Sequence, residues 1–386
     1  MKYELMDNIG SAVIKVVGVG GGGGNAVNHM IETGIDGVQF ICANTDAQAL
    51  RQMNVDTIVQ LGSELTKGLG AGTRPEVGRA AAEETRERIR EVIDGADMVF
   101  LTAGMGGGTG TGAITVFAEE AKSMGVLTVA VVSKPFEFEG AKKKGVADNG
   151  LRDLEKLVDS LIVIPNQKLL PTLGNNRSLV EAFKVANDVL LDAVQGITEL
   201  ITHPGMINVD FADLTTVMTN MGSAIMGTGI ASGENRARLA AEKAIACPLL
   251  EDINLQGARG ILVNVTSCGD LGLNEFDEIG SIMHAFASDD ADIKIGMAVN
   301  PDMGNQIKVT VVATGMGEKM RANAPIKLVQ KVAAGEVNYD QLEKPTVIRQ
   351  QRSEAATRES RFGAQPRADG DLDYLDVPAF LRRQAD

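Results

Sequence analysis

The sequence predicts an α/β fold: a mostly parallel sheet with helices on both faces, a long central helix, a second α+β domain and a disordered tail. Three observations lead there. Over residues 1–175 strand-like and helix-like segments alternate, and the strands are apolar on both faces, as in a parallel sheet covered on both sides. From Asn176 to Thr202 an apolar-periodic pattern runs with little to stop a helix. After Gly317 the periodicity fades into polar, Gln/Arg/Ala-rich sequence.

The elements follow in order. AVIKVVGV (Ala12–Val19) reads as a buried strand; a glycine run follows, then a helix from Asn25 to Thr33. VQFICAN (Val38–Asn44) and DTIVQL (Asp56–Leu61) are the next strands. GLGAGTRP (Gly68–Pro75) is a glycine-rich loop that leads into one charged helix, Glu76–Ile93. DMVFLT (Asp97–Thr102) is a strand, and a second glycine stretch feeds the next helix. VLTVAVV (Val126–Val132) and SLIVIP (Ser160–Pro165) complete the sheet. Beyond the central helix, a loop (His203–Leu214) enters another helix. A helix at Glu234–Ala246, strand Ile261–Ser267, helix Asn274–Ala287 and strands Asp292–Asn300 and Gln306–Gly315 come next. That gives four strands at most, on two helices. The expected organisation is therefore a nucleotide-binding unit at 1–175, the central helix at 176–203, an α+β unit at 204–317, a linker at 318–370 and a terminal peptide at 371–386.

Composition bounds the function. Net charge is −14, and residues 318–386 carry 12 basic against 11 acidic groups, which leaves −15 on the first 317 residues. An acidic body argues against nucleic-acid binding, which needs a basic footprint. Three scattered cysteines make no disulfide framework and fit a reduced compartment. The start, MKYELMDN, lacks the apolar stretch of a signal peptide, and no run is long enough to span a membrane. His29, His203 and His284 are too far apart in sequence to suggest a metal cluster. Leu372, Leu375, Phe380 and Leu381 bring apolar residues back at the chain's end, as a docking peptide would, or as a last turn packed on its own body.

Two glycine loops carry the chemistry. Gly18-Val-Gly20-Gly21-Gly22-Gly23 meets the GxGxxG pattern between strand and helix, but a run of glycines meets it easily. The acidic residue at the end of the second strand, which a dinucleotide site uses on a ribose, is replaced by Cys42-Ala43-Asn44. The P-loop ending Gly-Lys-Ser/Thr is absent. The second loop, Met105 to Gly112 (MGGGTGTG) after Gly104, opens another helix. Helix N-termini present free N–H groups and a positive dipole end, and glycine lets amides crowd an anion. Thr109 and Thr111 add hydroxyls. Two cradles at neighbouring strand ends suit a di- or triphosphate. The loop holding Ala71 and Gly72 is a candidate third, at the terminal phosphate. Tight packing turns are the structural alternative, and a nicotinamide or flavin oxidoreductase is the chemical one. The oxidoreductase leaves the second loop idle.

GGGTGTG resembles the signature of the tubulin-like GTPase family. GVGGGGGNAVNHM, ANTDAQAL, GLGAGTRPEVG, PFEFEG, NVDFADL, NLQGARGILVN and YLDVPAFLR match its bacterial cell-division members in order, from Val13 to Gly317 and again over Asp373–Arg383. The resemblance implies a GTPase that binds GTP/GDP with Mg2+ and assembles into a head-to-tail filament at the mid-cell division site in the cytoplasm. It implies that Gly20, Gly21, Gly22, Gly23, Gly24, Asn25 and Ala26 hold phosphates together with Gly106, Gly107, Gly108, Thr109, Gly110, Thr111 and Gly112. Asn44 would lie near the sugar and phosphate, and Glu139 and Lys143 would reach the ribose. Asn166, Phe183 and Asn187, with Asp188 as a further candidate, would frame guanine. The terminal peptide would recruit membrane-anchoring and regulatory partners without inserting in the membrane itself.

The chain departs from the family pattern twice. Lys143 stands where the family usually has Arg, keeping the charge and losing the fork. Ala113-Ile114-Thr115 stands where small residues and proline usually follow the signature.

Hydrolysis also needs a group to orient water. Nothing near the glycine loops offers one. Asn208-Val-Asp210-Phe-Ala-Asp213 does: with a helix starting near Asp210, the two acids share a face. The residues alone favour a plain N-cap and a first-turn acid. The resemblance implies instead that these side chains act on the next subunit's nucleotide. A relative that assembles without turnover is the non-enzymatic alternative.

Overall fold

The computed structural model describes residues 12–173, 178–203, 205–219, 221–250, 258–288 and 291–315. The chain divides into two compact units, Met1–Ala324 and Pro325–Asp386; every described residue lies in the first. The expected linker and terminal peptide lie outside the described residues.

Strand β1 (Ile14–Val19) passes directly into helix α1 (Gly20–Thr33), and β2 (Val38–Asn44), α2 (Ala47–Leu50), β3 (Thr57–Gln60) and α3 (Ser63–Thr66) follow. The charged segment forms two helices, α4 (Pro75–Glu84) and α5 (Arg86–Ile93). β4 (Met98–Gly104), α6 (Gly108–Ser123), β5 (Leu127–Lys134), α7 (Ala141–Leu154), β6 (Ser160–Pro165) and α8 (Leu170–Leu173) complete the first half. The long helix α9 (Leu179–Thr202) starts later than the expected Asn176, because Ser178 caps it: its hydroxyl accepts from Glu181 N–H while the Glu181 carboxylate accepts from Ser178 N–H. Then come α10 (Phe211–Met218), β7 (Gly222–Ser232), α11 (Arg236–Ile245), β8 (Gly260–Ser267), α12 (Leu273–Phe286), β9 (Asp292–Val299) and β10 (Gln306–Thr314).

One sheet runs in the order β3-β2-β1-β4-β5-β6-β7-β10-β8-β9. Neighbours from β3 to β7 pair parallel, β10 is antiparallel to both β7 and β8, and β8 and β9 are parallel. Alternation along the strands explains why they read as apolar on both faces. Ile14 and Val16 of β1 and Met98 and Phe100 of β4 join a core with Val27 and Met30 of α1 and Leu190, Val194 and Ile197 of α9. Val17, Val19, Val99 and Leu101 point the other way, into a core with Ile89 of α5 and Ile114 and Phe117 of α6. Lys15 in β1 is buried at the end of α5, where its ammonium donates to the carbonyls of Val92 and Asp94; burial pushes its pKa down.

Three expectations change. Helix α1 begins at Gly20 and not at Asn25, so the glycines themselves build its first turn. The charged helix breaks at Thr85, whose hydroxyl accepts from Gly62 N–H and donates to the Ala81 carbonyl. Strand β7, which was not read from sequence, carries glycines where α11 crosses it: a Cβ on Gly227 or Gly229 would sit 2.1 Å from the carbonyl of Ala244 or Ala240. The second half thus has four strands and the two expected helices α11 and α12, preceded by α10 where the sequence places a helix after the His203–Leu214 loop. Helix α9 is tied to that half by Thr266 Oγ1, which donates to buried Glu199 at 2.8 Å, and by Lys308 Nζ on Asp192 at 2.5 Å.

Candidate functional site

The carboxyl ends of β1, β4, β5 and β6 meet the N-termini of α1 and α6 around a cleft of about 370 Å³. Open α/β sheets bind ligands at this edge. Neither helix has a side-chain N-cap bond or an acidic residue in its first turn, so both positive ends stay open to an anion.

Steric space divides the glycines into two groups. A Cβ on Gly21, Gly107 or Gly72 would meet nothing within 4 Å, and all three line the cleft. Others bring backbones together. A Cβ on Gly112 would lie 1.9 Å from the Pro75 carbonyl, and one on Gly78 2.2 Å from the Gly108 carbonyl. The signature therefore has two tasks, an open cradle at its start and the close contact of α6 with α4 further on. Close packing and open space at the cleft, set apart as alternatives from sequence, are both present among these glycines.

The loop between β4 and α6 is pinned at three points. Met105 N–H donates to the Ser133 carbonyl, Gly106 N–H to Thr111 Oγ1, and Gly108 N–H to the Gly72 carbonyl. Thr111 thus braces the loop from a buried position, while Thr109 lines the cleft and shares a 2.5 Å hydrogen bond with Thr45. Gly72 brings the third glycine loop to the same space.

At the other end of the cleft, Lys143 Nζ pairs with Glu139 Oε2 at 2.6 Å, and Glu139 Oε1 accepts from Phe136 N–H. The lysine keeps its charge at the cleft wall without an arginine's fork. Asn166 is 3 % exposed and its Oδ1 has no partner, so a buried polar atom is left for a ligand to satisfy. Phe183 stands edge-on to Phe136, with ring centroids 5.4 Å apart. Asn187 lines the cleft; the next residue, Asp188, turns to His29 Nε2 at 2.6 Å.

The second departure is also accounted for. Ile114 is fully buried in the core, and Thr115 Oγ1 donates to the Gly112 carbonyl and accepts from Arg79, which continues to Glu119. Helix α6 still starts at Gly108.

Gly21, Gly22, Asn25, Gly104, Gly110 and Glu139 are among the expected residues on the cleft wall. Gly20, Gly23, Gly24, Ala26, Asn44, Ala71, Gly106, Thr111 and Gly112 are buried and do not line it. Sequence reasoning missed Ser133, Pro135 and Ala186; the first two follow from the rule that ligands sit at strand carboxyl ends.

The aspartate segment lies elsewhere. Asp210 caps α10, accepting from Asp213 N–H at 2.7 Å, which is the plain N-cap role. Its loop is clipped to the edge strand β9: Gly205 N–H donates to the Met297 carbonyl and Met297 N–H to the Ile207 carbonyl. Buried Val209 fills the space beside Gly296, and Asn208 is exposed. Helix α10 leads into β7, whose Gly222 pairs with Ser160 at the amino end of β6. From Asn187 in the cleft to Thr202 the central helix advances about 22 Å at its rise per residue. The glycine loops and the acids thus occupy opposite ends of the sheet.

Comparison with known proteins identifies two matched regions of the chain. A model of the Tubulin/FtsZ family GTPase domain matches residues 13–174, and one of the FtsZ family C-terminal domain matches residues 222–317. "Cell division protein FtsZ" of Pseudomonas aeruginosa is 57% identical over 399 residues, covering 100% of both chains. Its namesake in Pseudomonas putida is 58% identical over 403 residues, again covering 100% of both. The solved M. jannaschii structure described as "FtsZ dimer, empty" is 43% identical with a TM-score of 0.76, over 79% of this chain and 89% of that one.

Proposed function

The chain belongs to the FtsZ family of tubulin-like GTPases, and from that premise we propose that it completes its GTPase site only between subunits of a head-to-tail filament. It is a GTP-dependent GTPase of the cell-division cytoskeleton. On our reading, the open N-termini of α1 and α6 hold the phosphates of the substrate GTP at Gly21, Gly22 and Gly107–Gly110. Glu139 and Lys143 meet the ribose. Phe183 covers the guanine face, and Asn166 and Asn187 face its polar edge.

The water that attacks the γ-phosphorus would be oriented by Asp213 of the next subunit, with Asp210 and Asn208 fixing the loop that delivers it. Phosphoryl transfer depends mainly on such positioning and on charge stabilisation. Magnesium would be carried by the substrate. Among the described residues no group of three or more His, Cys, Asp or Glu could hold a metal, so phosphate oxygens and water would supply its ligands and it would neutralise developing charge.

The observation that carries this reading is the separation of the two halves to opposite ends of one protomer. A face that completes its neighbour's site is heterologous, and its repetition yields an open filament. Exposed Leu69 and Phe138 near the cleft, and Met206 and Ile207 in the aspartate loop, give the two ends apolar surface to bury. We place the protein in the cytoplasm at mid-cell and assign the terminal peptide 371–386 to membrane-anchoring and regulatory partners. Among the described residues no helix is long and apolar enough to cross a membrane.

Phosphate release, measured from dilute to concentrated protein, tests the shared site. Turnover per subunit should rise with concentration and then level off. The chain ending at residue 370 should follow the same curve while no longer capturing membrane-anchoring partners. A per-subunit rate independent of concentration contradicts the shared site, and lost turnover in the shortened chain contradicts the assignment of the peptide.

A further inference from the structure

Strand β9 does more than anchor the aspartate loop. Its residue Lys294 lies two positions before Gly296, on the strand face that receives Val209, and so looks along the loop toward α10. Lys294 Nζ is 2.9 Å from Asp213 Oδ1 and 3.7 Å from Asp292 Oδ1. We propose that Lys294 is a positioning residue for GTP turnover: its ammonium fixes the Asp213 carboxylate in the free protomer, so that the acid reaches the neighbouring subunit's triphosphate already aimed and partly charge-compensated. This rests on the reading of Asp213 given above.

Two observations and one physical argument support it. First, the ion pair engages one carboxylate oxygen and leaves Asp213 43 % exposed, open to whatever docks on that face. Second, the cation is secure. The hydrogen bond to Asp213 comes first in raising the Lys294 pKa, followed by the charge of Asp292, then those of Asp213 and Asp210. Third, in the filament proposed above the loop would bring Asp210 and Asp213 toward a polyanion, and a like-charge approach is costly unless a cation travels with the acids. An ion pair this exposed adds little to stability, so fold maintenance is a poor account of it.

The test uses the full chain with Lys294→Met, Lys294→Arg, Asp213→Asn and the Lys294→Met/Asp213→Asn double variant. GTP affinity is measured on dilute protein, assembly with a slowly hydrolysed GTP analogue, and phosphate release with GTP. Lys294→Met should bind GTP and assemble as the parent does, with kcat down about tenfold, the scale of a modest misplacement of a reacting group. Lys294→Arg should recover kcat to within about threefold, because the cation is kept. The double variant should be no slower than Asp213→Asn alone, since the lysine acts through that acid.

Parent-like or faster turnover in Lys294→Met overturns the proposal. So does failure of arginine to rescue, a further loss in the double variant, or loss of assembly with the analogue, which would make Lys294 a contact residue. The Asp213→Asn single variant separates the two levels. If it turns over normally, the reading of Asp213 fails. If it is slow while Lys294→Met is not, only the role of Lys294 fails.

Discussion

Asp213→Asn should lose at least ~100-fold in GTP turnover while binding GTP and assembling as the parent does. The expectation follows from placement. Asp213 sits in the first turn of α10, at the opposite end of the sheet from the cleft, and is not among the residues that line it. Asparagine nearly preserves the shape, and the cap remains because it uses Asp213 N–H and not its side chain. What is lost is the charge that would orient water. Phosphate release, nucleotide titration and pelleting on one preparation check it. Parent-like turnover, or loss of nucleotide binding in the dilute protein, would contradict the role assigned.

The signature glycines should divide sharply under substitution by alanine. Gly112→Ala places a methyl 1.9 Å from the Pro75 carbonyl and 2.7 Å from Arg79 N, both backbone atoms of α4. Neither can swing aside as a side chain would, so the two helices must separate. Overpacking of this kind costs about 3 kcal/mol, and the melting temperature should fall by roughly 6–12 °C. Gly107→Ala should leave the fold intact, because φ −88° and ψ 175° suit any residue and its Cβ meets no protein atom. Its methyl enters the space of the phosphates, and GTP affinity should fall by at least about tenfold, ~1.4 kcal/mol. Thermal melts and nucleotide titrations of the two variants check the division. Equal melting temperatures, or unchanged affinity in Gly107→Ala, would contradict it.

Much of this was legible in the chain because each signal had one physical reading. Strands buried on both faces gave the parallel sheet, and glycine-rich strand-to-helix junctions gave the cleft. Asn208–Asp213 stood apart as an acidic segment with no place in either loop. What stayed hidden was set by contacts distant in sequence. The glycines of β7 look like a loop until α11 is laid over them, and Thr85 breaks a helix through its bond to Gly62. The start of α1 lies earlier than the sequence predicts, because glycine disfavours helix interiors and so points to a start at Asn25. Here the close approach to neighbouring backbone outweighs that propensity: a Cβ on Gly20 would lie 2.8 Å from Gly110 N, and one on Gly22 3.0 Å from Gly104. Lys294 carried no signal at all, since its partner lies 81 positions earlier in the chain.

Mixing two crippled proteins probes the division of labour most directly. One carries Asp213→Asn and keeps its cleft; the other keeps Asp213 and carries Gly107→Asp, whose carboxylate should repel the phosphates from the cradle. Alone, each should release phosphate slowly. Together, the intact acid of one should dock on the loaded cleft of the other, and the mixture should turn over faster than the sum of its parts. A mixture that does no better than that sum, although the two proteins co-assemble, would mean that each protomer hydrolyses GTP with its own groups.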